Sequence, residues 1–466
     1  MKTTNKNIAL TLMLLMTASA LGGCGNAAKD AAMTADAPAL NGEIAMDAAK
    51  DAKADDAGGA EAEAAPAAVY EGADYAEGAA EAGDAFSAKK SDAMLAIEPA
   101  AVDGAAAAAG AVPDGDPDDT SSVLDRGEPF VLTAGEWNDN ENWGFFANLI
   151  HSGTIEFPAY GLNPVNRIAV TVTHDGTPVQ NQTVTLNADD ILWTAKTDKN
   201  GNAYLFYGDA FAGKELTVKT ADAEPVSLTA PAAEDGQGGS GIRTLEYTVE
   251  TGAESRKYEK TEVMFILDTT GSMGDEISYL QKDFASIAEE VSDGNMTFSV
   301  NFYRDKGDDY VTRCNPFTDD IAAIKKKLNA EYADGGGDAP EAVAEILEET
   351  MCRGDWHDDT NKIAFLIFDA PPHGDPNDDA SAQPMIAAAI AAAAEQGVHL
   401  VPVVASNADR TTELFGRAAA IMTNSNYVFL TDDSGVGDSH LEPIIGDYDV
   451  ELLHDIIVRN IREITA

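Results

Sequence analysis

Two unbroken apolar runs, each closing on an aspartate, constrain this 466-residue chain more than any other feature. The first is Glu262-Val-Met-Phe-Ile-Leu-Asp268 and the second Lys362-Ile-Ala-Phe-Leu-Ile-Phe-Asp369. A strand with one face in water alternates apolar and polar residues, whereas a continuous run suits a strand covered on both faces, the habit of parallel sheets. Helical patterns at 275–292, 318–330, 339–351, 380–396, 411–421 and 449–464 separate or follow these runs. Further strands are expected at 297–303, 310–317, 398–404 and 427–431. Strand and helix alternating in this way predict an α/β domain over 260–466, doubly wound around a mostly parallel sheet. The linker Arg304 to Asp309 is too short for a crossover, so one of the strands beside it is expected as an antiparallel edge.

Ligands of such sheets bind at the carboxyl ends of the strands, where both Asp268 and Asp369 stand. After Asp268, Thr269-Thr-Gly-Ser-Met-Gly274 turns before a helix and brings the hydroxyls of Thr270 and Ser272 near that carboxylate. A third loop, Gly335-Gly-Gly-Asp-Ala-Pro-Glu341, places Asp338 at a helix start, as cap or as ligand. Carboxylates and hydroxyls without Cys or His make a hard, oxygen-only site, suited to Mg²⁺, Ca²⁺ or Mn²⁺ and not to zinc.

Asp268-Thr-Thr-Gly-Ser-Met-Gly resembles the metal-ion-dependent adhesion site (MIDAS) of von Willebrand factor type A (vWA) domains, of the form Asp-x-Ser/Thr-x-Ser. The stretches Gly335 to Ala342 and Phe368-Asp-Ala-Pro-Pro-His373 are similar to the second and third loops of a subset of that family, so the likeness covers roughly 260 to 464. It implies a Rossmann-like fold, a metal site of Asp268, Thr270, Ser272, Asp338 and Asp369, and a protein ligand at the metal face. The hydroxyls would coordinate directly, and Asp268 and Asp369 through water. Many members carry threonine where this chain has Asp338. Three carboxylates around a divalent ion leave about −1, so this site should hold metal more tightly and gain less from a partner's carboxylate.

Ahead of this domain, 127–252 reads as short alternating strands between turns, at 167–173, 182–186, 192–197, 203–207, 215–219 and 244–249. That spacing predicts an all-β sandwich, and the stretch Asp175 to Tyr204 resembles bacterial immunoglobulin-like modules. Trp137, Trp143, Phe145 and Phe146 are either a sugar-stacking surface or core, and core is favoured.

Residues 24–122 are dominated by Ala, Asp, Glu and Gly and cannot bury a core, so this stretch is expected as a disordered linker. As a flexible coil its roughly 95 residues would span roughly 50 to 60 Å. At the N-terminus Lys2 and Lys6 precede the apolar run Ile8 to Leu15, which is too short to cross a bilayer, and Leu21-Gly-Gly-Cys24 follows. This resembles a bacterial lipobox, implying a signal peptide at 1–23 and lipid on Cys24 that anchors the exported chain to a membrane. Cys314 and Cys352 then remain, as a disulfide or as two thiols.

The 80 acidic against 30 basic residues, net −50, repel phosphate backbones, so no nucleic-acid partner is expected. Acidic stretches 305–309, 375–379 and 432–449 read as a solvated rim, and Arg353-Gly-Asp355 as a chance integrin tripeptide. A hydrolase is not expected. Ser272 stands where a nucleophile elbow would put it, with His373, His440 and His454 downstream, but Asp268 would oppose an oxyanion. Two readings of different class remain: metal-dependent protein binding at the cell envelope, and a structural surface protein whose ion only stabilises the fold.

Overall fold

The two apolar runs lie side by side at the centre of an eight-stranded sheet in a computed structural model, which describes residues 131–231, 242–337, 339–374, 380–436 and 439–465. Along the chain the strands are β1 (Thr133–Trp137), β2 (Asn166–His174), β3 (Thr177–Pro178), β4 (Thr183–Asn187), β5 (Ile191–Lys196), β6 (Asn202–Phe206), β7 (Glu215–Thr220), β8 (Val226–Thr229) and β9 (Arg243–Glu250). Then follow β10 (Lys260–Asp268), β11 (Met296–Tyr303), β12 (Thr312–Arg313), β13 (Thr360–Phe368), β14 (Val398–Val404), β15 (Tyr427–Thr431) and β16 (Glu451–Leu452). The large sheet runs β12-β11-β10-β13-β14-β15-β1-β16. Its five central strands are parallel, and β12 pairs antiparallel with β11 as the short linker requires.

Burial on both faces is visible residue by residue. Met264, Ile266, Ala364 and Leu366 join one core with the helices α4 (Val343–Leu347), α5 (Gln383–Gln396) and α6 (Arg410–Met422). Their sequence neighbours Val263, Phe265, Leu267, Ile363, Phe365 and Ile367 join the other, against α2 (Gly274–Val291) and α7 (Leu453–Thr465). Each fully buried side chain of this size contributes about 1.5 to 3 kcal/mol, so a polar residue anywhere in the two runs would cost the sheet heavily. The remaining helices are α1 (Trp143–His151) and α3 (Ile321–Leu328); Asp320 caps α3 by accepting from the Ala323 amide at 2.9 Å. A π-helical turn, Glu348–Cys352, prolongs α4, so the helix expected over 339–351 is two pieces.

Two four-stranded sheets fill the region between β1 and β10. One has β2 between β6 and β9, with β3 on the end of β2, and the other runs β5-β4-β7-β8. Ile168, Val170 and Leu205 from the first share a core with Val184, Leu186 and Val218 from the second. The pairing of β2 with β9 is parallel over eight residue pairs, which departs from the all-antiparallel pattern expected of an immunoglobulin-like sandwich.

One boundary needs correction. β1, expected as part of the sandwich region, pairs antiparallel with β15 and so belongs to the α/β sheet. The reason is its partner: Ala134 and Leu132 bury into the core of α2 and α7. The two four-stranded sheets are therefore inserted between the first strand of the α/β domain and the rest. Trp143 and Phe146 are buried, with the Arg167 guanidinium 3.4 Å from the Trp143 ring centroid, which places these aromatics in the core.

Candidate metal centre

The ends of two strands, β10 and β13, build the centre. β10 closes on Asp268, whose side chain is fully buried, and the chain turns at Thr269 and Thr270 into a short 3-10 turn, Gly271–Met273, before α2. The Thr270 amide and hydroxyl both donate to Asp268 Oδ1, at 2.8 and 2.7 Å. β13 closes one residue before Asp369, which accepts a hydrogen bond from Ser272. Asp268, Thr270 and Asp369 are buried, while Ser272 is exposed at the mouth. Four of the five predicted residues thus converge, and the fifth, Asp338, lies outside the described residues.

Asp268 Oδ2 and Asp369 Oδ1 are buried without a well-formed hydrogen bond, the Tyr303 hydroxyl facing the Asp268 carboxylate. Two further acids share this condition and were not singled out from sequence. Glu276, in the first turn of α2, accepts from the Ser406 amide and hydroxyl at 3.2 and 2.6 Å through Oε1 and leaves Oε2 orphaned. Glu341, beside Thr270 and Gly336, also has an orphaned Oε2. Glu276 carried a signal that pointed elsewhere, since an acid in a helix's first turn ordinarily complements the dipole. Glu341 stands within the Gly-Gly-Gly-Asp-Ala-Pro-Glu motif.

Burial, and then the charge of Asp369, push the Asp268 carboxyl up; its bonds from Thr270 partly oppose this. Asp369 is raised by burial, and the Ser272 hydrogen bond works against the rise. Glu341 is pushed up to about 9 by burial, followed by the charges of Asp268, Asp305, Asp369 and Asp308. None of these acids, nor Glu276, is ion-paired to Lys or Arg among the described residues. Buried carboxylates held together without a cation destabilise one another unless protonated or joined by a positive ion. That donor set, anionic oxygens with the hydroxyls of Thr270 and Ser272, fits a hard divalent cation. Among the described residues no three His, Cys, Asp or Glu side chains already stand in a ligating array.

The surrounding loops are tied down rather than solvated. Asp308 Oδ2 accepts from the amides of Asp305 and Gly336, at 3.0 and 2.9 Å, and Gly336 at φ +71° lets its loop approach Thr270 and Glu341. His373 Nε2 lies 2.7 Å from Asp305 Oδ1, His440 Nδ1 2.9 Å from Asp432, and His454 bridges Asp283 and Glu290. Asp305 and Asp308 therefore brace the site, in contrast to the solvated rim expected, while Asp309 is exposed, and each of the three histidines is engaged by carboxylate. Residues 375–379 are outside the described set. Cys314 and Cys352 are not joined by a disulfide, and Arg353 of the integrin-like tripeptide is held by Glu348 and Glu349.

A relative, an ariadne-like RING finger protein of Acanthamoeba polyphaga mimivirus, is 29% identical over 117 residues, 24% of this chain and 11% of that protein, so most of its length has no counterpart here. The crystal structure of a conserved hypothetical protein, BatB from Bacteroides thetaiotaomicron, shares 14% identity over 44% of this chain and 86% of that one, with a TM-score of 0.25. Residues 262–436 match the family model described as von Willebrand factor A domain. That stretch of the chain, less than half its length, is a von Willebrand factor A domain.

Proposed function

We propose that this domain binds a protein partner through a divalent cation, Mg²⁺, Ca²⁺ or Mn²⁺, at the carboxyl ends of β10 and β13. The carrying observation is the set of buried acids, Asp268, Glu276, Glu341 and Asp369, each with one oxygen left without a donor. Thr270 and Ser272 would hold the ion through their hydroxyls, with Asp268 and Asp369 around them and Asp338 as a further candidate. A bound ion supplies an open position that accepts an oxygen from the partner. Ser272 is exposed at the mouth, so a partner group can reach an ion held there.

The same reading makes the chain an exported bacterial lipoprotein, anchored by lipid on Cys24 and raised from the membrane by 24–122. Those residues lie outside the described ones, and no helix among the described residues is long and apolar enough to cross a membrane. The burial of Asp268 and Thr270 favours a second reading, an ion that only stabilises the fold.

A pull-down from bacterial envelope extract, with Mg²⁺ and then with chelator, separates the two. Partner binding predicts a protein captured by the full chain, released by chelator and not captured by Asp268→Asn. A chelator that lowers the melting temperature without releasing any captured protein sinks the binding reading and leaves the structural one.

A further inference from the structure

Of the four buried acids at the metal centre, Glu341 alone receives no hydrogen bond on its carboxylate among the described residues. Asp268 accepts from Thr270, Asp369 from Ser272 and Glu276 from Ser406. Glu341 is 4% exposed, its Oε2 is enclosed, and no Lys or Arg among the described residues pairs with it. It also stands outside the five residues that the adhesion-site motif implies. A carboxylate buried in this way costs the fold free energy, so its place calls for a partner that the protein's own donors do not supply.

Its backbone is fastened between the two loops that carry the other ligands. The Glu341 amide donates to the Pro371 carbonyl at 3.0 Å and the His373 amide to the Glu341 carbonyl at 3.2 Å, just beyond Asp369. Upstream, the Asp334 amide donates to the Thr269 carbonyl at 3.1 Å and the Gly271 amide to the Gly335 carbonyl at 3.3 Å, on either side of Thr270. Gly336 stands between Glu341 and Thr270. A Cβ there would lie 3.0 Å from Glu341 Oε1 and 3.3 Å from Thr270 Cβ, so a bare backbone keeps the lane between them open. After burial, the charges of Asp268, Asp305, Asp369 and Asp308 act on the Glu341 carboxyl, which therefore faces the same acids that an ion would join. No three of these side chains converge on one point among the described residues, so Glu341 would close on the ion by a side-chain movement over Gly336.

The number of available oxygens separates the candidate cations. Mg²⁺ keeps several waters and takes one or two carboxylates, in an octahedron at about 2.0 to 2.1 Å. Ca²⁺ takes about six to eight oxygens at about 2.3 to 2.6 Å and accepts a carboxylate through both of its oxygens. Asp268, Asp369 and Glu341 together with the hydroxyls of Thr270 and Ser272 exceed what Mg²⁺ uses, and all but Ser272 are buried, which leaves little room for its waters. We propose that Glu341 is a further ligand of the ion and that its added carboxylate makes the centre prefer Ca²⁺ to Mg²⁺. The inference rests on the metal reading above and adds to it one ligand and the choice of ion.

The test is calorimetric titration of the full chain, stripped of divalent metal, with calcium chloride and separately with magnesium chloride. Ca²⁺ should bind about tenfold tighter than Mg²⁺. Glu341→Gln, which keeps the shape and removes the charge, should weaken Ca²⁺ about tenfold and Mg²⁺ less, so that the preference shrinks. Should that variant fail to fold by circular dichroism, the side-chain carboxyl resonance of Glu341 in the unaltered protein carries the test, shifting in step with Ca²⁺ binding. Mg²⁺ bound as tightly as Ca²⁺, unchanged Ca²⁺ affinity in a folded Glu341→Gln protein, or a Glu341 resonance that ignores Ca²⁺ overturns this inference and leaves the metal reading standing. Binding of neither ion overturns the metal reading itself, and this inference with it.

Discussion

Two buried charged clusters in the same α/β domain are built on opposite terms. Around Arg417, at 0% side-chain exposure, every charge finds its complement. Its guanidinium donates to both oxygens of Asp139 at 2.7 and 2.8 Å, to Glu413 at 3.2 Å and to the Ile444 carbonyl at 2.8 Å. Around Asp268 and Asp369 no Lys or Arg among the described residues answers the carboxylates, and Asp268, Asp369, Glu276 and Glu341 each keep one buried oxygen without a well-formed hydrogen bond. The first cluster fastens the segment after β1 to α6 and is complete without help. The second is left uncompensated by protein groups among the described residues, and the proposed metal site rests on that contrast.

The largest way to break this comparison is Arg417→Met. Removing one member of a buried ion cluster costs about 3 to 5 kcal/mol, because the partners stay buried and unpaired. Urea denaturation should show that loss equally with and without Mg²⁺; a loss that Mg²⁺ repairs would mean the clusters are coupled. Next comes Mg²⁺ itself. At a concentration one hundred times its Kd it should add about 2.7 kcal/mol to the unaltered protein and nothing to Asp268→Asn.

The pH dependence sharpens the same point. Glu341 is raised to about 9, so the metal-free protein holds a proton there that the unfolded chain releases in the ordinary carboxylate range. The contribution of this group to stability should therefore be fully present in acid, fall as pH rises towards about 9 and level off above it, while the lowered carboxylates Asp209 and Asp409 act in the opposite sense only at low pH. Asp268 and Asp369, also raised, add to the fall. Saturating Mg²⁺ should flatten the curve in thermal melts, and a curve that rises with pH without metal would contradict the uncompensated cluster.

A smaller effect is expected of Asp338→Thr. Removing one carboxylate should weaken metal binding about tenfold, or about 1.4 kcal/mol, in calorimetry; unchanged affinity would take Asp338 out of the site. Smallest is Arg353→Ala, an arginine paired as visibly as Arg417 but at the surface, with Glu348 and Glu349. Denaturation should barely register it, because solvent and salt already screen those charges.

Much of this was legible before any coordinates. The centre of the sheet was readable because burial on both faces leaves continuous apolar runs, and Asp268 and Asp369 were readable because those runs end on them. The helices over 275–292, 380–396 and 411–421 appear within a few residues of expectation. β1 was not assignable, since five residues of strand carry no mark of whether their partner is the next segment or β15, 298 residues on. Nor was the arrangement of Glu276 and Glu341, because lone acids at a helix start or in a loop are ordinary until the fold brings them beside Asp268 and Asp369.

The place of β1 also bears on how the chain is made. Synthesis delivers β1 first, then the inserted sheets, and only much later β15, the strand against which β1 must lie. Until then β1 has an open backbone edge and the sheet lacks its penultimate strand, a pairing of very high sequence separation and hence slow to form. A polypeptide cut at the ends of the recognised family stretch, 262 and 436, would never receive that strand, nor β16 and α7. Recombinant work on the isolated stretch would then be studying an unfinished sheet.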